Sequence, residues 1–379
     1  MLRDELYKYR RGRVRYKKDY GAQSMNEKDE TKNRLIQFDL LRILAIFFMM
    51  LLHIAGSNWD WTAVDSFEWN TFNVYDSIAR CCVPIFVMIS GLFFLGDDRS
   101  ESIAYIYKKR IPRLVTAYLF WSTLYSLYVN LVLQNDSGVE IKKQMVIDIV
   151  NGRYHLWFVP MMIGLYMVVP FLKKICSDKK TEEYYIILVI VFTFGLNVLK
   201  LIPQSDIFVY GILGNFNLYM VLGYTGYFVI GHYISSYSVK RKTEILFYVL
   251  GMISAMLTII ATVVISKKNG YPTQTFYGYL MPNVLGMAVA VYVFFAKRVS
   301  KWKFSERMKK VIVKISQISF GMYLVHDFFI ILFSRYLNIT TMSFNAIISV
   351  PFITICVFVL SMFAAYLLSK IPYVNKYII

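Results

Sequence analysis

Ten long apolar runs, each bounded by charged or polar residues, constrain this chain more than any other feature. A helix that crosses the hydrocarbon core of a bilayer needs about 20 apolar residues, and each run is close to that length. The runs are approximately 36–57, 72–96, 112–134, 155–173, 184–203, 218–235, 245–266, 276–296, 315–335 and 343–369. Of the 379 residues 57% are hydrophobic, and the runs leave too little contiguous sequence for a separate soluble enzyme domain. The pattern predicts an all-α, polytopic membrane helical bundle with about ten transmembrane helices.

The basic residues alternate along the chain in step with these runs. Of the 42 Lys and Arg residues, 33 lie in the leader, the tail and every second connection, and seven lie in the other connections. The remaining two, Arg42 and Arg80, fall within predicted spans. Since Lys and Arg resist translocation, this imbalance predicts an even number of spans with both termini cytoplasmic. Topology therefore explains the net charge of +18, and because no nucleic-acid-binding module is recognisable we expect no nucleic-acid partner.

Three segments follow from this division: a basic cytoplasmic leader over 1–35, a transmembrane domain over 36–370 and a short cytoplasmic tail over 371–379. The first run has no signal-peptide cleavage site behind it, so we expect it to be retained as a helix. The leader can contact anionic lipids; alternatively, residues 1–24 precede the natural start, because Met25 also begins a plausible chain. The four cysteines have neither disulfide nor metal-ligand spacing, and we expect no metal and no bound cofactor.

The first predicted span carries three side chains that lipid should exclude: Asp39, Arg42 and His53. Arg42 and His53 are eleven residues apart, close to three helical turns, which places them on one stripe about 16 Å apart along the axis. Each could instead extend to the headgroups at its own end of the span. Their shared orientation favours a polar passage between the two ends. Histidine takes up and returns protons near neutral pH, which suits activation of an alcohol for acyl transfer.

Three further histidines lie in or beside predicted spans. His155 opens the fourth span and, by the predicted topology, shares the depth of His53, while His326 lies near the middle of the ninth. His232 lies near the inner end of the sixth span, where we expect a packing or headgroup residue. In the second span Asp76 and Arg80 are four residues apart, the spacing of an ion pair on one helical face. That pair serves either as a structural pair within the bundle or as a substrate contact.

The two sides of the predicted bundle differ in their polar residues. The outer segment before the second span mixes aromatic rings with acceptors, as a sugar-binding surface or an interfacial aromatic belt would. Its residues are Trp59, Asp60, Trp61, Asp65, Glu68 and Trp69. On the inner side, basic residues flank the start of the third span, namely Lys108, Lys109, Arg110 and Arg113. They suit the phosphates of a nucleotide carrier such as coenzyme A, although topology predicts the same charges without a ligand.

Four motifs in order along the chain resemble the bacterial acyltransferase-3 family of membrane proteins. The first runs from Arg34 through Asp39, Leu41 and Arg42 to His53, and includes the family's spacing of ten residues between Arg and His. The others are Phe86-Val87-Met88-Ile89-Ser90-Gly91, then His155-Leu156-Trp157-Phe158 with Tyr166 and Pro170, and Ser319-Phe320-Gly321-Met322-Tyr323-Leu324-Val325-His326. The resemblance covers roughly residues 34–369. It implies a ten-helix bundle that passes an acyl group, usually acetyl from cytoplasmic acetyl-coenzyme A, to a hydroxyl of a cell-surface glycan.

The resemblance also implies roles for individual residues. His53 would be the principal catalytic residue, as general base or transient acyl carrier, and Arg42 would support the donor or the electrostatics of the site. We expect supporting or substrate-binding roles for Asp39, Asp76, Arg80, His155, Trp157, Tyr323 and His326, and donor binding by Arg110 and Arg113.

These expectations together describe an O-acetyltransferase of the bacterial cytoplasmic membrane. Its partners would be an acyl-coenzyme A donor, a glycan or other hydroxyl acceptor and membrane lipids. Some members of the family carry an extracytoplasmic hydrolase-like extension that is not found after Ile379, so a separate extracytoplasmic protein is a further expected partner. The competing class is a polysaccharide exporter or a small-molecule transporter of the same fold, which would not need acyl chemistry.

Overall fold

A computed structural model describes residues 34–96, 102–133, 139–202, 205 and 223–379, with the backbone alone for 139–140. Every regular secondary-structure element in these residues is a helix, and none is a β-strand. In chain order the helices are α1 (Ile36–Gly56), α2 (Phe67–Ala79), α3 (Cys82–Gly96), α4 (Ile111–Leu127), α5 (Val139–Asn151), α6 (Phe158–Ile175), α7 (Lys179–Val189), α8 (Thr225–Ser236), α9 (Arg241–Asn269), α10 (Pro282–Lys297), α11 (Glu306–Ile331), α12 (Ala346–Ser369) and α13 (Pro372–Tyr377). Ile36–Ile379 form one compact unit, whereas residues 1–33 of the predicted leader lie outside the described residues.

The part of the chain that the structure describes contains eight helical stretches long and apolar enough to cross a membrane. They are Ile36–Trp61, Phe67–Gly96, Phe158–Ile175, Lys179–Leu199, Arg241–Asn269, Thr275–Lys301, Glu306–Tyr336 and Ala346–Ser369. The predicted all-α polytopic bundle is thus confirmed, and eight of the ten predicted runs match these stretches. The run 112–134 is helical as far as Leu133, but its Tyr, Ser and Thr residues make it less apolar. In the run 218–235, residues 218–222 lie outside the described part and α8 begins at Thr225.

Helix α1 lies at the centre of the bundle. It packs against α2, α3, α10, α11 and α12, and its buried face contributes Leu41 and Ala45 to one hydrophobic cluster and Met50 and Ile54 to another. The long helix α9, in contrast, packs mainly on α10 and α2 and leaves most of its apolar surface exposed, as expected of a helix that faces lipid. The polar side chains of α1 are therefore surrounded by protein, which is where membrane helices place such groups.

The predicted second span is interrupted where it carries its ion pair. Helix α2 ends at Ala79 and α3 begins at Cys82, so Arg80 and Cys81 lie at a break. Pro84 explains the break, because its ring lacks an N–H and clashes with the carbonyl four residues earlier, which is that of Arg80. Broken helices expose polar backbone at membrane depth only where the backbone lines a cavity or is buried in protein. Arg80 meets that condition, since it lines the cavity described below.

Close packing of α3 on α8 depends on two glycines. A Cβ atom at Gly91 would overlap the backbone carbonyl of Phe228, and one at Gly231 would overlap the carbonyl of Met88. Small residues let membrane helices approach until their backbones touch, which is where such helices gain packing energy. This contact fixes α8 against α3, which packs in turn on α1.

The segment 371–379, predicted as a tail, contains α13, which packs on α4 and α12. Its Pro372 occupies the first helical turn, where a missing N–H costs nothing. Trp121 Nε1 donates to the backbone oxygen of Ile378 at 3.0 Å, and Thr116 Oγ1 donates to that of Tyr377 at 2.7 Å. These bonds hold the segment against the bundle.

Candidate active site

A cavity of about 670 Å³ lies at the C-terminal end of α1. Its walls come from α1, the break between α2 and α3, the turn between α5 and α6, the loop after α9, and α11 with the π-helical turn that follows it. The polar side chains that line it are His53, Ser57, Asp76, Arg80, Arg153, Tyr154, Gln274, Tyr279, Asp327, Ser334 and Arg335. A cavity of this size can hold a small ligand, and its polar lining favours a polar one.

His53 lies on the wall of this cavity, in the last turn of α1. Its ring is stacked on that of His326, with centroids 5.3 Å apart and planes at 26°, and Tyr154 contacts it edge-on at 5.2 Å. Two rings from different elements therefore set the orientation of the imidazole. A half-buried imidazole held in this way, with one side open to a polar cavity, has the geometry that proton transfer to or from a bound ligand requires.

Two further histidines lie behind His53. His326 Nδ1 is 2.7 Å from the carbonyl oxygen of Tyr323, so Nδ1 carries the proton and Nε2 is the acceptor in the neutral ring. His155 is fully buried, and its ring lies 4.8 Å from that of His326. Within the described residues neither of its nitrogens has a hydrogen-bond partner. Tyr323 Oη donates to the backbone oxygen of His155 at 2.7 Å, and thereby ties α11 to the turn before α6.

Asp327 joins this group, and sequence reasoning missed it. Its buried carboxylate accepts a hydrogen bond from Arg153 Nε at 2.7 Å and another from Tyr154 Oη at 2.9 Å. Arg153 lies in the turn outside the membrane-spanning helices. There burial lowers the pKa of Arg153, but the Asp327 carboxylate and the neighbouring tyrosines together raise it by more, so the guanidinium remains charged. Because Tyr154 also contacts His53, the Asp327 carboxylate positions the ring that holds His53.

In the same turn, burial lowers the pKa of His155 well below its ordinary value, and the charges of His326 and Arg153 lower it further. At pH 7 the ring of His155 is therefore neutral. A neutral imidazole has one nitrogen that accepts a proton and one that donates.

Asp76 and Arg80 form the ion pair that their spacing predicts. Arg80 Nη2 lies 2.7 Å from Asp76 Oδ2, and the guanidinium carbon is 4.1 Å from the centre of the Tyr277 ring. Both side chains line the cavity and can contact a ligand there. Asp76 Oδ1 and Arg80 Nε themselves are buried and have no hydrogen-bond partner among the described residues.

The aromatic residues predicted for the outer segment are divided by the structure. Trp59 and Trp69 are buried and stacked on each other with centroids 5.6 Å apart, while Trp61 is 89% exposed. A sugar-binding surface that includes Trp69 is therefore excluded, because that ring serves the core. Trp157, in contrast, lines the cavity, and its ring is stacked on that of Tyr279 with centroids 5.6 Å apart.

Arg42 lies at the other end of α1. Its Nη1 donates to Ser316 Oγ at 2.9 Å and is 3.5 Å from Asp39 Oδ1, and Ser316 Oγ donates to Asp39 at 2.5 Å. Ser316 and His326 both belong to α11, so Arg42 and His53 face the same neighbouring helix. Arg42 is not among the residues that line the cavity.

Arg110 and Arg113 belong to this second polar region. Tyr166 of α6 lies within electrostatic range of Arg42, Arg110 and Arg113. Arg110 is 5.1 Å from the Phe94 ring, and its buried Nε has no hydrogen-bond partner in the part of the chain that the structure describes. Arg113 donates from Nε and Nη2 to the backbone oxygen of Ile379, at 3.2 and 2.5 Å. The structure thus separates the predicted site residues into two groups, one at each end of α1.

An all-α polytopic bundle with a histidine on the wall of a polar, partly enclosed cavity defines a membrane protein suited to group transfer on a polar ligand. The comparisons with known proteins agree with this class. The model of the acyltransferase-3 family, described as an acyltransferase domain, matches residues 35–370. The chain therefore belongs to the acyltransferase-3 family and is a multi-pass membrane acyltransferase. No curated protein and no solved structure matches it.

Proposed function

We propose that this membrane acyltransferase is an O-acetyltransferase that moves acetyl from cytoplasmic acetyl-coenzyme A to a hydroxyl of a cell-surface or lipid-linked polysaccharide. The observation that carries the proposal is the position of His53 on the wall of a cavity of about 670 Å³, within contact of His326 and Tyr154. We propose further that the protein lies in the bacterial cytoplasmic membrane with both termini inside; the orientation is supported by the 33 of its 42 basic residues that lie on one predicted side.

In this reaction His53 acts on the acceptor hydroxyl. As a general base it takes the hydroxyl proton while the oxygen attacks the thioester carbonyl, and a tetrahedral intermediate forms. Collapse of the intermediate breaks the carbon–sulfur bond, and the imidazolium returns its proton to the coenzyme A thiolate. In the alternative, an imidazole nitrogen first attacks the thioester and carries the acetyl group, which the hydroxyl then removes. The products are the same, an acetyl ester and free coenzyme A.

The acceptor is proposed to bind in the cavity. Trp157 and Tyr279 offer aromatic faces on which a sugar ring can stack. Asp76 and Arg80, which line the cavity, offer a carboxylate acceptor and guanidinium donors to sugar hydroxyls. Gln274 adds an amide on the same wall.

The donor is proposed to bind at the opposite end of α1. Arg110 and Arg113 lie near Arg42 and Tyr166, and Arg side chains bind phosphates through paired hydrogen bonds. Phosphates held there would leave the long pantetheine arm of the donor free to extend toward His53, about 16 Å along the helix. A separate extracytoplasmic protein is the proposed partner for delivery of the acceptor.

Labelled acetate tests this function in cells. We expect the surface polysaccharide to be labelled when wild-type protein is present and to lose the label in a strain that carries His53→Ala at equal protein abundance. A general base contributes typically 10²–10⁴-fold in rate, so residual labelling should be near background.

The rival function, export of a polysaccharide or small molecule, predicts a different result. The amount of surface polymer would then fall in a deletion strain, while its acetate content per sugar would stay at the wild-type value. Unchanged acetate content in the His53→Ala strain would contradict the proposed function.

A further inference from the structure

A second cluster of reactive side chains lies far from the cavity. Helix α6 begins beside the cavity and ends at Ile175, about 27 Å away for 18 residues. There Cys176, Glu182 and His232 bring their ligand atoms within 4.8 Å of one another. By the predicted topology this end is cytoplasmic, where thiols are kept reduced. The catalytic steps proposed above use none of these three residues.

Three separate elements supply the cluster. Cys176 caps the C-terminus of α6, Glu182 lies in the first turn of α7, and His232 lies in α8. His232 Nδ1 is 2.8 Å from Glu182 Oε1, and Ser236 Oγ is 3.1 Å from His232 Nε2. A metal-bound histidine characteristically has its second nitrogen held by such a neighbour, which fixes the ring and the tautomer.

Glu182 is the observation that calls for a cation. Its side chain is completely buried, and its Oε2 has no hydrogen-bond partner among the described residues. The Cys176 thiol and the Tyr237 hydroxyl also interact with this carboxylate, and neither supplies a positive charge. In the described part of the chain no Lys or Arg forms an ion pair with it, and His232 is its one basic partner. The adjacent Glu183 differs, because its side chain is 42% exposed and pairs with Lys179 at 3.4 Å. A buried carboxylate needs a paired charge or a metal, since an isolated one is costly to remove from water.

We propose that Cys176, Glu182 and His232 form a binding site for a divalent transition-metal ion, best matched by zinc, that fastens α6, α7 and α8 together. A thiolate, an imidazole and a carboxylate are the ligand types that Zn²⁺ takes, at about 2.0–2.3 Å and in tetrahedral geometry. Three protein ligands leave a fourth position for water. The site lies apart from the cavity and stands independently of the proposed acetyl transfer.

Cobalt is the probe of choice, because Co²⁺ takes the same tetrahedral sites as Zn²⁺ and a cobalt–thiolate bond gives a strong near-ultraviolet charge-transfer band. Purified full-length protein in detergent, stripped with EDTA and freed of chelator, would be titrated with Co²⁺ and then with Zn²⁺. We expect one equivalent of cobalt to produce the band and zinc to remove it. Zinc should also raise the temperature of thermal unfolding, as any ligand selective for the folded state does.

Matched variants identify the ligands. Loss of a residue that only hydrogen-bonds to a metal ligand weakens metal binding roughly 10–100-fold. Cys176→Ser removes a ligand itself, so it should abolish the band and weaken zinc binding by at least that factor. Glu182→Gln should weaken binding similarly, whereas Cys356→Ser and Glu183→Gln should bind as wild type. The proposal is overturned if folded wild-type protein gives no band, if Cys176→Ser keeps the band, or if the two control variants lose it. Circular dichroism of each variant verifies that it is folded. If a variant does not fold, the titration of wild-type protein still shows whether the metal site exists.

Discussion

Replacing Asp76 by Asn should destabilise the protein by about 3–5 kcal/mol, the usual cost of breaking a buried ion pair by removing one charge. The Asp76 side chain is 2% exposed and that of Arg80 13%, so solvent screens the pair little. The Tyr277 ring, 4.1 Å from the guanidinium, still stabilises the remaining cation by about 0.5–2 kcal/mol. We therefore expect a loss near 3 kcal/mol, which for a large domain corresponds to a fall in unfolding temperature of roughly 6–12 °C.

The double variant Asp76→Leu/Arg80→Met separates folding from function. Replacement of both charges by apolar groups of similar volume is often neutral or stabilising, so the unfolding temperature should return close to that of wild type. Acyl transfer should not recover, because the Asp76 carboxylate and the Arg80 guanidinium line the cavity and are proposed to bind the acceptor. Two lost hydrogen bonds of about 0.5–1.5 kcal/mol each lower kcat/KM for the acceptor roughly 5- to 150-fold.

Both readouts come from the same preparations. Thermal unfolding in one detergent would be followed by near-ultraviolet circular dichroism, and initial rates of acyl transfer would be measured over a range of acceptor concentrations. An Asp76→Asn protein that unfolds at the same temperature as wild type would refute the inference that Asp76 and Arg80 form a buried, interdependent pair. A double variant with wild-type kcat/KM would show that the pair is structural and does not contact substrate.

Three other variants test separate parts of the structure. Arg42→Ala should lower donor turnover per mole of purified protein, because a fixed cation is lost from the proposed donor end; turnover equal to wild type would contradict a role in donor use. Asp327→Asn should lower the free energy of unfolding by about 1.5–3 kcal/mol, because it removes the charge from the hydrogen bond with Arg153. A thermal unfolding curve identical to that of wild type would contradict this. Gly91→Ala should cost about 1–3 kcal/mol, because its methyl group meets the α8 backbone. The control Gly164→Ala has open space around its Cβ and should be neutral or slightly stabilising, so equal losses in the two variants would contradict close packing of α3 on α8.

The bundle could be predicted from sequence because lipid imposes a simple rule. A membrane helix must be apolar over a fixed length, so the runs at 36–57 and 245–266 are visible without any knowledge of packing. The helix break at Arg80 was also encoded, since Pro84 forbids an unbroken helix there, but mean hydropathy conceals it. Which helices touch was not predictable, because the contact of α3 with α8 depends on Gly91 and Gly231 from distant parts of the chain.

Some residues of the candidate site could likewise be predicted from the sequence, and others could not. Arg42 and His53 could be related from the period of one helix, since both lie on α1 and face α11. Asp327 carried a signal that was missed: it is a charged residue within a membrane-spanning helix, which by itself marks a functional or paired group. Its partner Arg153 could not be found from sequence, because 174 positions separate the two residues.

The histidine at the cavity wall gives the most direct test. Purified wild-type protein and the His53→Ala variant would first be shown to have equal helicity and equal unfolding temperature. Each would then be supplied with acetyl-coenzyme A and a glycan acceptor, and the rates of acetyl ester formation and of free thiol release would both be measured. Loss of the general base or acyl carrier should lower the transfer rate by about 10²–10⁴-fold while the protein remains folded. A folded His53→Ala protein that forms the ester at the wild-type rate would contradict the catalytic role of His53.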